Sequence, residues 1–277
     1  MGADSIYDKG LCTSGDPLNE SDVRMILNLY ENSYLYLDEV PDLKNKKKAL
    51  LEKRDRSVEA VNSWFRSNVP WDNHTRIHKE VPRTTNVTLE FPMEATVIVK
   101  LRRIDRDTSN TILVNLKELQ PEVLILDLRD STGNDDDAAL SLTGALVEGE
   151  ICTQRYAAFD RVTISRRASL HPHIIFIFTN KDTSGCARMI ATSLYLNSEK
   201  VTVIGTAIDK DTVGLENVRR MKGHHGLVFS MASYRWSVNG KGPDIFSEPG
   251  LDRFIDCGTM DEREMMSIVY DRIVKWV

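Results

Sequence analysis

The sequence predicts an α/β (α+β) protein: a mixed sheet with βαβ units flanked by helices, plus a small helical N-terminal lobe. Short apolar runs alternate with amphipathic helical patterns from about residue 95 to the end. Such alternation is typical of a parallel or mixed sheet that is covered by helices on its faces. The length of 277 residues is enough for one large domain or two small ones.

The pattern divides the chain into three parts. Residues 1–20 are rich in Gly, Asp and Ser and predict a flexible arm. Residues 21–92 predict a helical lobe and a linker, because apolar residues recur there at helical spacing and prolines follow. Residues 93–277 hold the alternating pattern and predict the α/β core.

Two helices are predicted in the N-terminal lobe. Ser21 is predicted to cap the first helix, with Asp22 in its first turn, where an acid is favourable. The second helix is predicted over residues 44–66 as one element. Three prolines between residues 67 and 92 predict irregular structure, with one strand near residues 87–91.

The core elements follow from apolar runs and from helical periodicity. Strands are predicted at residues 95–101, 123–128, 174–179, 201–205 and, with the alternation of an antiparallel strand, 227–234. Helices are predicted at residues 110–119, 135–147, 184–196 and 261–277.

Composition excludes several classes of protein. The formal net charge of −5 provides no basic excess for general nucleic-acid binding. No apolar run approaches the ~20 residues of a membrane span. The four cysteines form no CxxC pair, so neither a zinc ribbon nor a thioredoxin motif is predicted. The histidine pairs at His171 and His173 and at His224 and His225 lack further ligands at metal-binding spacing. We therefore predict no metal and no cofactor.

One motif suggests nucleotide binding. Thr179-Asn180-Lys181-Asp182 is similar to a guanine-recognition box. Binding of a nucleoside triphosphate also requires a phosphate loop of the form GxxxxGK[ST]. The sequence contains none, which argues against nucleotide hydrolysis.

Ser184 and Lys210 are candidates for nucleophilic catalysis. Each follows a predicted apolar strand, and Ser184 stands where the next helix begins. The free N–H groups and positive end of a helix N-terminus can hold an oxyanion, and a desolvated lysine can act as a base. A serine at this position is also typical of a simple helix N-cap.

The order of the loops resembles that of the tail-specific, or C-terminal-processing, serine peptidases. Residues 97–101 are similar to the family's "GYIRI" strand, and residues 123–134 (VLILDLRDSTGN) are similar to its "LILDLRNNPGG" segment. Residues 179–191 stand where the family has its "SASAxE" nucleophile segment. Residues 203–214 are similar to "VVGExTxGKGxVQ", whose lysine is the general base.

This resemblance implies a ClpP/crotonase-like core and hydrolysis of peptides or unfolded proteins by a Ser/Lys dyad. With the loop shifted by one residue, it implies Ser184 as nucleophile, together with Lys210 as base and the N–H groups of Gly133 and Gly185 as oxyanion donors. Because the family is usually extracytoplasmic, the resemblance also favours an extracytoplasmic protein whose signal has been removed over a cytoplasmic one.

The chain departs from the family pattern at several positions. Counted back from Lys210, the nucleophile position falls on Gly185, and the carboxylate three residues later falls on Arg188. Asn134 replaces the second glycine of the GG pair, and Gly214 stands where the family has glutamine. Residues 67–92 are also too few for the PDZ domain that usually lies there.

Two hypotheses therefore remain open. The first is an active serine peptidase with the Ser184/Lys210 dyad. The second is a catalytically inactive relative that binds peptides or a protein partner through the same cleft.

Overall fold

A computed structural model describes residues 18–79, 87–133, 135–221, 226–248, 250–258 and 260–276. The structure divides the chain into two compact units. The first, here called the N-terminal unit, contains the described residues up to Lys79 together with Arg155–Phe159 and Val213–Arg235. The second, here called the sheet unit, comprises Thr84–Gln154, Asp160–Thr212 and Trp236–Val277. Across the described residues, every helix is too short or too polar to span a bilayer.

The elements are as follows. The α-helices are α1 (Glu20–Ser33), α2 (Leu43–Glu52), α3 (Val58–Asn68), α4 (Arg106–Leu119), α5 (Asp136–Leu146), α6 (Cys186–Asn197) and α7 (Glu262–Trp276). The strands are β1 (Arg76–Lys79), β2 (Val87–Glu90), β3 (Thr96–Leu101), β4 (Arg103–Ile104), β5 (Val123–Asp127), β6 (Thr132–Gly133), β7 (Gly149–Tyr156), β8 (Asp160–Ser165), β9 (Ile174–Thr179), β10 (Val201–Gly205), β11 (Val213–Arg220), β12 (Leu227–Ser237) and β13 (Phe254–Asp256). Short 3₁₀ helices lie at Leu37–Glu39 and Pro243–Ser247.

The N-terminal unit packs helices against antiparallel strands. β12 pairs with β1, so that Phe229 lies opposite Ile77, and β11 pairs with the same strand. Tyr30 and Tyr34 stack at 4.1 Å between ring centroids, and Phe65 stacks on Phe229. These side chains are buried in one apolar cluster, which is the core of this unit. The antiparallel strand predicted at residues 227–234 is confirmed, and it packs with the helices of the N-terminal unit.

The predicted start of α1 is wrong. The helix begins at Glu20, and its N-cap is Asn19, whose side chain accepts a hydrogen bond from the Asp22 backbone N–H at 2.8 Å. Ser21 lies inside the first turn and donates to Asn19 Oδ1 instead. Asparagine is as good an N-cap as serine, so Asn19 supplies the capping hydrogen bond that was predicted for Ser21.

The single helix predicted over residues 44–66 is also wrong. The structure has α2 and α3, separated by residues 53–57. Asp55 accepts a hydrogen bond from the Ser57 N–H at 2.9 Å, and Ser57 Oγ caps α3 by accepting from the Ala60 N–H. Short polar side chains that bind nearby backbone compete with the helix, which explains the break.

The sheet unit is built on a six-stranded sheet of order β13-β10-β9-β5-β3-β2. β3, β5, β9, β10 and β13 are parallel, and β2 pairs antiparallel with β3 at the edge. Because the strand order follows the chain, right-handed crossovers place α4, α5 and α6 on one face. α7 covers the opposite face, where Met265 and Val269 pack with Ile125 and Phe176. The predicted fold class is therefore confirmed.

Two features of this unit differ from the expectation. α4 begins at Arg106, four residues earlier than predicted, because Asp105 caps it by accepting from the Thr108 N–H. β7 and β8 were not predicted. β8 carries charged and apolar residues that are largely exposed, so it shows no buried face from which a strand could be recognised.

Candidate functional site

The candidate site lies where the parallel strands of the sheet unit end. β5 ends at Asp127, β9 at Thr179 and β10 at Gly205. The carboxyl ends of parallel strands meet at one edge of the sheet, and α/β proteins place their ligands there. The loops that follow β5 and β9 contain three of the four predicted site residues, Gly133, Ser184 and Gly185. The loop after β10 contains the fourth, Lys210.

A polar network joins the loop after β5 to the loop after β9. The Asn180 side chain accepts from the Asp130 N–H at 3.0 Å and donates to Asp130 Oδ1 at 2.8 Å. Thr183 Oγ1 donates to the Leu128 carbonyl at 2.9 Å. In the sequence, Asn180 stands out only as part of the motif that is similar to a guanine-recognition box. Asn180 directly follows a predicted apolar strand, and this position could have indicated a side chain that joins the two loops.

Gly185 stands at the turn that leads into α6. Its backbone has φ 54° and ψ −131°, a conformation that an L side chain adopts only with strain. A Cβ atom at this position would overlap the Gly133 carbonyl oxygen. The backbone of the loop after β5 therefore approaches α6 more closely than a side chain at residue 185 allows.

Ser184 lies immediately before this turn and is half-buried. Its backbone N–H donates to the Ser131 carbonyl at 2.8 Å, and its Oγ donates to the same oxygen at 3.4 Å. Because Gly185 is the N-cap of α6 and no side chain caps that helix, Ser184 does not act as the helix cap.

Lys210 is exposed. The residues on either side of it, Asp209 and Asp211, both contact Arg188. The Arg188 guanidinium is buried and donates to the carbonyls of Asp209 and Asp211, at 3.3 and 2.9 Å. It also lies 3.8 Å from the Asp209 carboxylate and 3.7 Å from that of Asp211. A buried arginine therefore ties the first turn of α6 to the loop that contains Lys210.

Gly133 and Gly185, the predicted oxyanion donors, are adjacent. The Gly133 carbonyl oxygen is the atom nearest to the place where a residue 185 side chain would begin. Oxyanions are stabilised by N–H donors aimed at the developing charge, whereas a carbonyl oxygen repels it. Asn134, the next residue in this loop, lies outside the described residues.

Cys186 is the first residue of α6. Its Sγ donates to Asp136 Oδ1 at 3.3 Å, and burial followed by the Asp136 charge raises the pKa of its thiol well above the usual range. Burial likewise raises the pKa of Cys152 to about 12. Thiols held protonated in this way are poor nucleophiles. Cys152, Cys186 and Cys257 are free and buried, whereas Cys12 lies outside the described residues.

Arg129 joins the site to α7. It binds Asp127 with two bonds, Nε to Oδ1 at 2.8 Å and Nη2 to Oδ2 at 2.6 Å, and it reaches Glu262 Oε2 at 2.9 Å. The bond to Asp127, the largest cause, raises the pKa of Arg129. The hydrogen bond from Lys100, with that from Arg129, lowers the pKa of Glu262 despite its partial burial. The DLR segment thus has a structural role.

Glu262 is expected to make stability pH-dependent in the acid range. A carboxylate whose folded pKa lies below its usual 4.5 contributes stability that is present above that value and is lost as pH falls through the folded pKa. We expect urea midpoints of the wild type to fall between about pH 5 and pH 3 more steeply than those of Glu262→Gln. Glu118→Gln, at an exposed site on α4, is the control and should follow the wild type. Equal slopes for wild type and Glu262→Gln would contradict this expectation.

A cavity of about 360 Å³ opens beside the network, at the α7 side of the strand ends. It is lined by Arg102, Arg129, Asp130, Thr179, Asn180, Gly205, Thr206, Cys257, Gly258, Met260, Glu262 and Met265. Thr206 Oγ1 is buried and has no hydrogen-bond partner in the structure. Within the described parts of the chain, no group of three or more His, Cys, Asp or Glu side chains is placed to hold a metal ion. His224 and His225 lie outside these parts.

Comparison with known proteins shows what fold this is. No family model matches the sequence, and no curated protein matches it. Among solved structures, a lipoprotein from Streptococcus agalactiae is similar over 93% of this chain and 98% of its own, with 17% identity and a TM-score of 0.67. The photosystem II D1 C-terminal processing protease is similar over 93% of this chain and 97% of its own, with 11% identity and a TM-score of 0.62. A protein of Bacteroides fragilis assigned to the S41 proteases covers 88% of this chain and 91% of its own, with 13% identity and a TM-score of 0.56. At these identities the likeness shows the fold, which is that of the C-terminal processing peptidases.

Proposed function

We propose that this protein binds peptide or unfolded protein segments at the carboxyl ends of β5, β9 and β10 and does not cleave them. The observation that carries the proposal is Gly185. It occupies the strained turn between a buried strand and a helix, the kind of position where α/β-hydrolases expose their nucleophile. Here that position has no side chain, and the Gly133 carbonyl oxygen fills the space that a side chain would need.

Two further features support binding without cleavage. A lysine acts as a base when it is desolvated, but Lys210 is exposed. Arg188 places a buried cation where a carboxylate would stand in the peptidases that the sequence resembles. Both changes weaken a Ser/Lys dyad and leave the cavity at the strand ends in place.

The second candidate is a serine peptidase. Ser184 would be the nucleophile, Lys210 the base, and the N–H groups of Gly133 and Gly185 the oxyanion donors. The position of Ser184, one residue before the turn and half-buried at the end of the sheet, is the observation that favours it. The likeness to C-terminal processing peptidases is compatible with both candidates.

A fluorophosphonate probe distinguishes the two candidates. Because Lys210, the candidate base, is exposed, we expect no labelling of the wild type above the level of Ser184→Ala, detected by gel fluorescence and intact mass. Wild-type labelling that disappears in both Ser184→Ala and Lys210→Ala would overturn the binding proposal and support the dyad. An active serine hydrolase in the same tube serves as the control for the reagent.

Binding itself is tested with fluorescein-labelled casein, an unfolded protein. We expect its anisotropy to rise with protein concentration while its chain stays intact on a gel. Thr206→Tyr, which fills the cavity, should weaken binding about tenfold, or ~1.4 kcal/mol. Ala207→Tyr adds the same ring at the next, exposed residue and should leave binding unchanged. No anisotropy change for the wild type, or equal effects of the two variants, would contradict the assigned site.

A further inference from the structure

β8 is an edge strand with an exposed apolar face. It pairs with β7 on one side and is the last strand of its sheet among the residues that the structure describes. Val162 and Ile164 are 51% and 62% exposed. Because they are two residues apart in a strand, both side chains point to the same face. Proteins normally protect long edge strands with charges, prolines or a covering element, since an edge readily pairs with another strand.

The residues on either side of this apolar pair have opposite charges. Asp160 precedes it and Arg166 follows it, and both are exposed. Asp160 is the first residue of β8 and Arg166 directly follows its last residue, so the order along this edge is acid, apolar, apolar, base. When two copies of such a strand pair antiparallel, the acid of each copy lies opposite the base of the other, and apolar residues lie opposite apolar residues.

We propose that β8 pairs antiparallel with β8 of a second copy of this chain, around a two-fold axis at Thr163. In this register Val162 lies opposite Ile164 of the other copy, and Asp160 lies opposite its Arg166. Both pairs occur twice because the interface is isologous. Apolar pairs and opposite-charge pairs that lie directly across from each other stabilise antiparallel strands.

Neighbouring registers lack this match. Moving the axis to Val162 places Asp160 opposite Ile164, and moving it to Ile164 places Val162 opposite Arg166. Each pairs a charge with an apolar side chain and loses the ion pair. Register in a sheet is set by side-chain complementarity of this kind, so the axis at Thr163 is selected.

Sedimentation velocity over a concentration series from about 1 μM to about 1 mM, the range of weak association, tests the dimer. We expect a monomer–dimer equilibrium for the wild type. Asp160→Arg and Arg166→Asp should each raise the dissociation constant about tenfold, because like charges then face each other. The double variant should restore wild-type dimerisation. Glu118→Arg, a charge reversal on α4, is the matched control and should have no effect.

A disulfide scan tests the register independently. A cysteine on the two-fold axis meets its own copy, and directly opposed residues of antiparallel strands lie at distances that a disulfide can bridge. In a Cys12→Ser background, mild oxidation should crosslink Thr163→Cys and leave Ser165→Cys monomeric, because Ser165 faces Arg161 of the other copy. A monomer at every concentration overturns the proposal, as does equal crosslinking at both positions or a double variant that fails to restore the dimer.

Discussion

Replacing Arg129 with methionine is expected to lower the free energy of unfolding by about 3–5 kcal/mol, the usual cost of removing one partner of a buried ion pair. Asp127, whose side chain is 2% exposed, would lose both bonds from the guanidinium. Methionine retains much of the apolar stem, so the effect reports on the charge rather than on a large cavity. Urea unfolding at about pH 7 measures it.

Arg102→Met is the matched control for Arg129→Met. Both arginines line the same cavity, but the Arg102 side chain is 52% exposed and its partner Asp130 is 56% exposed. Exposed ion pairs contribute about 0–1 kcal/mol, so this variant should remain close to the wild type. The double variant Asp127→Leu/Arg129→Met should recover part of the loss, because no unpaired buried charge remains. Similar losses for Arg129→Met and Arg102→Met would show that the DLR network is not a buried ion pair in solution.

The apolar strands were the most predictable part of the fold. β3, β5, β9 and β10 were predicted to within about one residue at each end, since strands covered on both faces form unbroken apolar runs. β8 was missed for the opposite reason: it contains only two apolar residues, Val162 and Ile164, and both are exposed, so it forms no unbroken apolar run. The helix boundaries at Ser21 and within residues 44–66 failed because short polar side chains compete for the same backbone N–H groups.

The site was predictable in position but not in detail. Ser184, Gly133 and Gly185 come together because each follows the end of a parallel strand, and strand order can be inferred from motif order. The exposure of Lys210 depends on which way its loop folds, and that loop is held by Arg188 from another element. The close approach of Gly133 to Gly185 is likewise a tertiary contact, and nothing in the local sequence reports the distance between two loops.

Gly185→Ala is expected to be among the most destabilising small substitutions in the sheet unit. The backbone at φ 54° and ψ −131° strains an L residue by roughly 1–3 kcal/mol. In addition, the new methyl group would overlap the Gly133 carbonyl oxygen, so that the loop after β5 must move. That movement would also disturb the Asn180–Asp130 pair and the bond from Ser184 to Ser131, both of which hold the two loops together.

Gly240→Ala helps to separate backbone strain from steric overlap as causes of the stability lost in Gly185→Ala. Gly240 also has a positive φ, of 76°, but a Cβ there meets nothing within 4 Å. Gly240→Ala should therefore show the cost of a positive φ without a steric overlap. Gly185→Ala should lose more free energy of unfolding, measured in urea. Gly185→Ser extends the test to function. If the turn tolerates serine at no greater cost than Gly240→Ser, and the variant then reacts with a fluorophosphonate, the loop can adopt a catalytic arrangement. If instead Gly185→Ser is strongly destabilised and unreactive, the fold requires glycine at position 185. The Gly133 carbonyl oxygen then occupies the space that a nucleophilic side chain would need.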